Sequence, residues 1–238
     1  IIRAAPGVPV GRVEILPLFN PNTYKPGSAN PLFPGAVTAL VIPDHPLEQT
    51  EPPKPDRLFL DAICRWIEPR RLVTTEIYVR APEYLRLWVT VGVITLPGYM
   101  REIVHRDVAK AIRRYLSPLV GGLPIPDPDA ALDSAECLTA DADGPGWPLG
   151  MEVRTQDLAA AAVRVEGVRY VKSLRLALQK PDGALDEQTE PLRIEGLQLP
   201  WLMGVSVREG DAEDPGVFLG QAQPGGKPIP APVLRKKC

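Results

Sequence analysis

The sequence predicts an α+β fold made of two tandem small sheet-plus-helix units followed by a β-rich C-terminal part. The main observation is the stretch Glu83–Gly122, where apolar residues alternate from Leu85 to Val93 as in a strand. After Pro97-Gly98 the apolar spacing changes to three and four residues, which is typical of an amphipathic helix. A long helix of this kind needs a sheet to cover its apolar side. The stretch is therefore predicted to be a core unit.

A second observation is a similar arrangement earlier in the chain. Ala36–Pro43 is predicted to be a strand, and Asp56 is placed as the N-cap of a helix that ends at Pro69. The two predicted helices finish alike, in an aromatic and an aliphatic residue just before a proline: Trp66-Ile67-Glu68-Pro69 and Tyr115-Leu116-Ser117-Pro118. A spacing of roughly 50 residues between the units is within the range of repeated elements. A duplicated fold element is therefore expected.

The order of the remaining patterns sets the predicted domains. Residues 1–82 form the first unit, residues 83–180 the second unit with an acidic insertion at 123–144, and residues 181–238 a β-rich end with an extended Pro/Gly tail. Further strands are predicted at Val8–Leu18, Thr74–Arg80 and Val168–Leu178, and a pair of strands broken at Pro200 is predicted within Leu192–Val207. A helix is predicted from Thr155 to about Val165. The tail from Arg208 to Cys238 lacks periodicity, so it is expected to be ordered only by partner subunits.

Composition excludes several classes of protein. A formal net charge of -2 gives no general reason to expect nucleic acid as a partner. No apolar run approaches the ~18 residues of a membrane span. Three widely spaced cysteines offer neither a zinc spacing nor a disulfide framework, and Cys64 is predicted to be a reduced core thiol in a reducing cytoplasm. The chain begins with Ile1 and not with methionine, so part of the gene product is expected to be missing.

The sequence contains no recognisable catalytic, cofactor-binding or metal-binding motif. His45 and His105 have no paired ligand at metal-binding spacing, and Ser206 lacks the second glycine of a nucleophile elbow. The alternating Asp141-Ala142-Asp143 lacks the glutamate that closes a calcium loop. No phosphate loop and no dinucleotide fingerprint occur. We therefore expect no cofactor and no enzymatic activity.

An ordered series of motifs resembles the baseplate J-like proteins of contractile phage tails and injection systems. The series begins with Arg70–Val79 (RRLVTTEIYV) and Ala81–Tyr84 (APEY), and continues with Tyr115–Leu119 (YLSPL) and Gly121-Gly122. It ends with Gly146-Trp147-Pro148-Leu149-Gly150 and Glu166-Gly167-Val168. The resemblance covers roughly residues 35–178. The chain departs from the pattern in its longer insertion at 123–144 and in lacking the N-terminal region of the family.

The resemblance implies a structural baseplate wedge protein that links neighbouring wedges into a ring around the hub and connects to the sheath. Its implied partners are other copies of itself and other wedge, hub and sheath-initiator proteins, without membrane or nucleic acid. It would be assembled in the bacterial cytoplasm as a component of a phage tail or contractile injection particle. Two other classes stay open: a small-molecule-binding regulatory module of paired α/β units, and a nucleic-acid-binding protein.

Two sets of residues are predicted to serve assembly. Trp147, held between glycines and a proline, is expected to be a buried anchor. The basic residues Arg106, Lys110, Arg113 and Arg114 follow at three- to four-residue steps and predict one charged helix side. The acidic loops 127–143 and 209–214 are candidate complements to that side, in a neighbouring copy or on the same chain. Arginine can bind a carboxylate with two parallel hydrogen bonds, so such pairs would fix the register of an interface.

Overall fold

A computed structural model describes residues 1–25, 27, 32–47, 51–122 and 144–218. The chain divides into two compact units. Of the described residues, the first contains Ile1–Tyr84 and Glu195–Leu199, and the second contains Leu85–Ile194 and 200–218. Helices and strands occur in both, and the predicted α+β class is confirmed.

The first unit is built on a three-stranded sheet. Its strands are β1 (Val10–Pro17), β2 (Ala36–Pro43) and β3 (Glu76–Arg80), in the order β1-β2-β3. β1 runs antiparallel to β2, whereas β2 and β3 are parallel. Parallel neighbours need a crossover connection, which helix α1 (Arg57–Ile67) supplies.

Helix α1 is fixed at its start and along one side. The Asp56 carboxylate accepts a hydrogen bond from the Phe59 amide at 2.7 Å, so the predicted N-cap is confirmed. The apolar side of the helix packs on alternate residues of the sheet, and the buried members of this cluster are Ala5, Val41, Leu60, Ile63, Ile67 and Val79. This cluster is the core of the first unit.

The second unit is built on a four-stranded sheet in the order β6-β5-β4-β7. The strands are β4 (Glu83–Thr95), β5 (Val168–Gln179), β6 (Leu185–Gln188) and β7 (Gln198–Glu209). β5 is antiparallel to both β4 and β6. The predicted β-rich end began at residue 181, and its described residues supply β6 and β7 to this sheet.

Strand β4 is buried on both faces, whereas the sequence indicated one apolar face. Leu87, Val89, Val91 and Val93 are each at most 1% exposed, and Trp88, Thr90 and Gly92 on the other face are buried too. The helices α2 (Arg101–Tyr115) and α3 (Thr155–Val163) belong to this unit, with α3 against β5 and α2 against α3. Their buried stripes account for the first face.

The second face of β4 is covered by Gly210–Phe218, here called the C-terminal strap. The Gly210 amide donates to the Val93 carbonyl at 2.9 Å, and the Thr90 hydroxyl donates to the Glu213 carbonyl at 2.7 Å. At the end of the strap, Phe218 packs on Trp88 with ring centroids 4.7 Å apart. The expectation that the chain from Arg208 is ordered only by partners is therefore wrong for residues 208–218, because the sheet supplies apolar and hydrogen-bonding groups that no local pattern reveals. Residues 219–238 lie outside the described residues.

The two units do not share one topology, so the expected duplication is wrong. In the first unit one helix joins two parallel strands, whereas in the second α2 and α3 lie between antiparallel strands. Both helices end in an apolar last turn followed by a proline that stops the helix, and this local requirement accounts for their similar endings.

Three further expectations concern the described chain only in part. The acidic residues of the insertion 123–144 up to Asp143 lie outside the described residues. Cys64, expected to be reduced, is disulfide-bonded, and its partner is not among the described residues. The expectation of a reduced thiol is therefore wrong for Cys64. Among the helices described, none is long and apolar enough to cross a membrane.

Candidate functional site

Three of the motifs that carry the family resemblance, Tyr115–Leu119, Gly121-Gly122 and Gly146–Gly150, meet at the C-terminal end of α2. The chain leaves the helix through Ser117 and reaches Gly121-Gly122, which fold back on the last turn. The Gly121 amide donates to the Ser117 carbonyl and the Gly122 amide to the Tyr115 carbonyl, both at 2.9 Å. A Cβ at Gly121 would collide with the carbonyl oxygens of Tyr115 and Ser117, so only glycine fits there. We call residues 115–122 and 144–150 together the glycine node.

The second glycine motif of the node closes the base of the insertion. The Gly144 amide donates to the Val120 carbonyl at 2.8 Å, and the Gly146 amide donates to the Gly121 carbonyl at 3.0 Å. A Cβ at Gly144 would collide with the Gly121 carbonyl oxygen, so the two segments touch backbone to backbone. The ends of the segment 123–143 are therefore held together regardless of its length. Because the cost of closing a loop grows slowly with length, this base tolerates the long insertion.

Ser117 organises the node with both its side chain and its carbonyl. Its hydroxyl oxygen accepts hydrogen bonds from the amides of Leu119 at 3.2 Å and Val120 at 3.4 Å. Its carbonyl accepts from the amides of Gly121 at 2.9 Å and Trp147 at 3.1 Å. The residue is 6% exposed. A buried serine with this set of partners satisfies backbone groups that would otherwise lack them.

Trp147 fills the centre of the node and is completely buried. Its indole lies edge-on to Tyr115, with centroids 5.4 Å apart and an interplanar angle of 87°. Its ring N–H donates to the Met151 carbonyl at 3.3 Å, within the turn that Gly150 closes with a φ of 75°. The predicted burial is thus observed within the chain itself. A direct part for Trp147 in an interface stays a prediction.

The hydroxyl group of Tyr115 is a polar group within this apolar centre. The residue is 8% exposed, and its hydroxyl has no hydrogen-bond partner among the described residues. Burial, and next the nearby Asp157, raise the pKa of Tyr115 to about 12, with Arg164 opposing them. The phenol is therefore neutral at ordinary pH and acts as a packing partner of Trp147.

The four basic residues predicted to form one charged side of α2 differ in their exposure to solvent. Arg106 and Lys110 are exposed, and Arg106 pairs with its neighbour Asp107 at 3.0 Å. Arg113 is half-buried and donates to the Leu202 carbonyl of β7 at 3.4 Å, and its burial lowers the pKa of its guanidinium. Arg114 is also half-buried. The four residues do not form one continuous exposed stripe, and their part in an interface stays a prediction.

The acidic residues 209–214 are engaged elsewhere in the second unit. Asp211 pairs with Lys172 at 2.9 Å, and Asp214 pairs with Arg175 at 3.3 Å. In the same segment, Glu213 pairs with Arg208 at 2.7 Å and accepts from the Ser206 hydroxyl at 2.9 Å. These carboxylates hold the strap to β5 and β7. The other candidate complement, 127–143, lies outside the described residues.

A polar cluster that the sequence did not reveal joins α2 to β4 and β7. Glu209 accepts hydrogen bonds from the Thr95 amide at 3.2 Å and hydroxyl at 3.1 Å, and it lies 3.6 Å from the His105 ring. Partial desolvation acts to raise the pKa of Glu209, but the Thr95 hydrogen bonds, with Arg101 and His105, outweigh it and hold the pKa below its ordinary value. The cluster couples residues over 100 positions apart, which no local motif predicts. Among the described residues, no group of three or more metal-ligating side chains occurs. Neither His45 nor His105 therefore belongs to such a group there.

Comparisons with known proteins give a distant structural likeness. No family model matches the chain, and no curated protein matches it. A chain of the cryo-EM structure of the anti-feeding prophage (AFP) baseplate is similar at 14% identity and a TM-score of 0.48, over 82% of this chain. This chain spans about a third of the length of that solved chain, 34%.

Proposed function

We propose that this chain is a structural subunit of the baseplate of a contractile tail or injection machine, and that it acts there as a wedge component. In this role it links neighbouring wedges into a ring around the hub and connects to the sheath. The proposal includes no catalytic step and no cofactor. Its partners are other copies of the chain and other baseplate proteins, in a particle assembled in the bacterial cytoplasm.

The observation that carries the proposal is the glycine node. Three of the motifs that resemble the baseplate J-like family span about 30 residues of sequence, yet Tyr115, Ser117, Gly121 and Trp147 come together in one cluster. An ordered set of motifs that packs together is more specific than the same motifs scattered over a surface. The node therefore supports the resemblance at the level of residues, and the resemblance in turn supports the assembly role.

The close packing of the glycine node suits a rigid structural element better than a ligand-binding pocket. Its centre is filled by an indole with no exposed surface, and its backbone segments approach as closely as glycine permits. Such close packing leaves the region stiff, as a ring component under contraction requires.

Genetic replacement in the host tests the proposal. The chromosomal gene is replaced by a tagged copy, and contractile particles are purified by sedimentation and analysed by mass spectrometry and electron microscopy. The tagged chain should co-purify with intact particles, and its deletion should leave tubes and sheath subunits unassembled. Normal particles from the deletion strain would overturn the proposal.

A further inference from the structure

The C-terminal strap and the sheet beneath it carry opposite charges. No lysine or arginine occurs among residues 210–218. In the described part of the chain, each ion pair of the strap places its carboxylate on the strap and its cation on β5 or β7: Asp211 with Lys172, Asp214 with Arg175 and Glu213 with Arg208. Because these pairs are all of one kind, a change in the charge of either side acts on the whole segment in the same direction.

The strap lies across a face of the sheet and not along an edge. Strand β4 already has a ladder partner on each side, β5 and β7. The Ala212 amide of the strap donates to the Ser173 hydroxyl at 2.7 Å, and the buried apolar residues of the strap are Pro215 and Phe218. Detachment of the strap therefore breaks no β-ladder, and the four-stranded sheet can keep its pairing without it.

Asp214 connects the ionic attachment of the strap with its aromatic end. One oxygen of its carboxylate lies 3.3 Å from the Arg175 guanidinium, and the other accepts a hydrogen bond from the Gly216 amide at 2.7 Å. These bonds fix the turn that brings Phe218 onto the Trp88 ring. Loss of the Arg175 pair should therefore also loosen the aromatic contact.

Gly210 is suited to be the hinge of the strap. Its φ is 97°, and no atom outside its immediate chain neighbours lies within 4 Å of the position that a Cβ would take. Glycine adopts many backbone conformations, so the chain can rotate there without displacing other groups. The preceding Glu209 is fixed, because its carboxylate accepts hydrogen bonds from the amide and hydroxyl of Thr95. The strap can thus move about Gly210 while β7 stays in place.

We propose that the C-terminal strap is an ionic clasp, a segment that detaches as a unit from β4 when its ion pairs are screened or removed, while the sheet stays folded. This inference goes beyond the proposed function and does not depend on it. Opening of the strap uncovers Trp88 and Thr90, which are both buried when it is closed. The clasp is therefore a conformational device that controls access to the second face of β4.

The outer ion pairs of the strap are accessible to dissolved ions. The side chains of Asp211 and Asp214 are 71% and 77% exposed, so salt screens both of their pairs. A single exposed pair contributes little to stability. Here, however, several pairs hold one short segment, and local opening of such a segment needs less free energy than unfolding of the whole unit. Modest changes in charge should therefore shift the balance between the closed and the open strap.

Hydrogen exchange of the full chain at two salt concentrations, resolved by residue with NMR, tests the clasp. The Gly210 and Ala212 amides should exchange about fivefold faster at about 1 M sodium chloride than at about 0.05 M, because screening weakens the pairs that keep the strap closed. The amides in the ladder of β4 with β5 should keep their rates. Unchanged rates at Gly210 and Ala212, or an equal acceleration in the β4–β5 ladder, would overturn the proposal.

Charge reversal separates the clasp from the general stability of the unit. Lys172→Glu should accelerate exchange at the strap amides, and the double variant with Asp211→Lys should restore slow exchange, because the pair forms again with its signs exchanged. Lys180→Glu is the matched control: Lys180 pairs with Asp186 of β6 at 3.1 Å, and its side chain is 50% exposed against 46% for Lys172. An equal effect of Lys180→Glu on the strap, or a double variant that stays open, would overturn the proposal.

Discussion

The indole of Trp147 meets the phenol ring of Tyr115 edge to face, with 5.4 Å between ring centroids. Tyr115 is the last residue of α2, and Trp147 comes after the insertion, so this contact joins the two ends of the glycine node. Edge-to-face pairs add to the stability that burial of the rings provides. The contact explains why the aromatic ending of the helix and the Gly-Trp-Pro turn occur together.

Removal of the Trp147 ring should strongly destabilise the second unit. Trp147→Ala would leave a cavity beside Tyr115, and such changes in cores cost about 3–5 kcal/mol. Thermal unfolding followed by near-UV circular dichroism measures the loss. Trp66→Ala is the control, since Trp66 is only half-buried and lies in the first unit. Similar losses in the two variants would contradict a special role for Trp147.

Gly121 should not tolerate a side chain. Gly121→Ala would drive a Cβ into the Tyr115 and Ser117 carbonyl oxygens, and the helix end must shift to relieve the clash. Gly150→Ala is a matched control, because Gly150 has a φ of 75° but open space around its Cβ position. The control should lose only the ~1 kcal/mol of a strained φ, and Gly121→Ala should lose more in denaturant unfolding. The reverse order would show that the node is looser than described.

The C-terminal strap should be protected from hydrogen exchange in the isolated chain. The Gly210 amide is bonded to the Val93 carbonyl at 2.9 Å, and the Ala212 amide is bonded to the Ser173 hydroxyl at 2.7 Å. Gly92→Ala places a Cβ against the strap backbone, so these amides should lose protection while the amides of β5 keep theirs. Rapid exchange of the strap in the wild type would restore the alternative that partners order it.

Glu209 should make stability depend on pH in the acid range. The folded-state pKa of Glu209 lies below its ordinary value, so the unfolded chain binds its proton first as the pH falls. The stabilisation by ionised Glu209 is therefore complete above the unfolded-state pKa and is lost as the pH falls through the folded-state pKa. Glu209→Gln should flatten that part of the stability curve. Glu190→Gln, at an exposed carboxylate, should not, and identical curves for both variants would contradict the assignment.

Local pattern predicted the elements of this fold better than their pairing. Period-two and helical spacing placed β2, α1, β4 and α2 nearly at their observed bounds, because those patterns reflect burial of one side of a local element. The strap was missed because its order comes from Gly92 and Thr90, more than 100 residues earlier in the chain.

At the candidate site, too, local features were predicted better than contacts between distant segments. Trp147 was expected to be buried from its own glycine and proline neighbours. The basic side of α2 was expected from helical spacing, but spacing alone does not show that Arg113 turns to the Leu202 carbonyl of β7. The Glu209 cluster needs residues from three elements and has no signal within any one of them. Contacts between distant segments therefore set the limit of what could be predicted.

Cryo-electron microscopy of the native particle tests the proposal that the chain is a ring-forming part of a contractile baseplate. A map of the purified particle should show this chain in repeated copies around the hub at the base of the tube. A complete baseplate map whose ring subunits are all accounted for by other chains would contradict the claim.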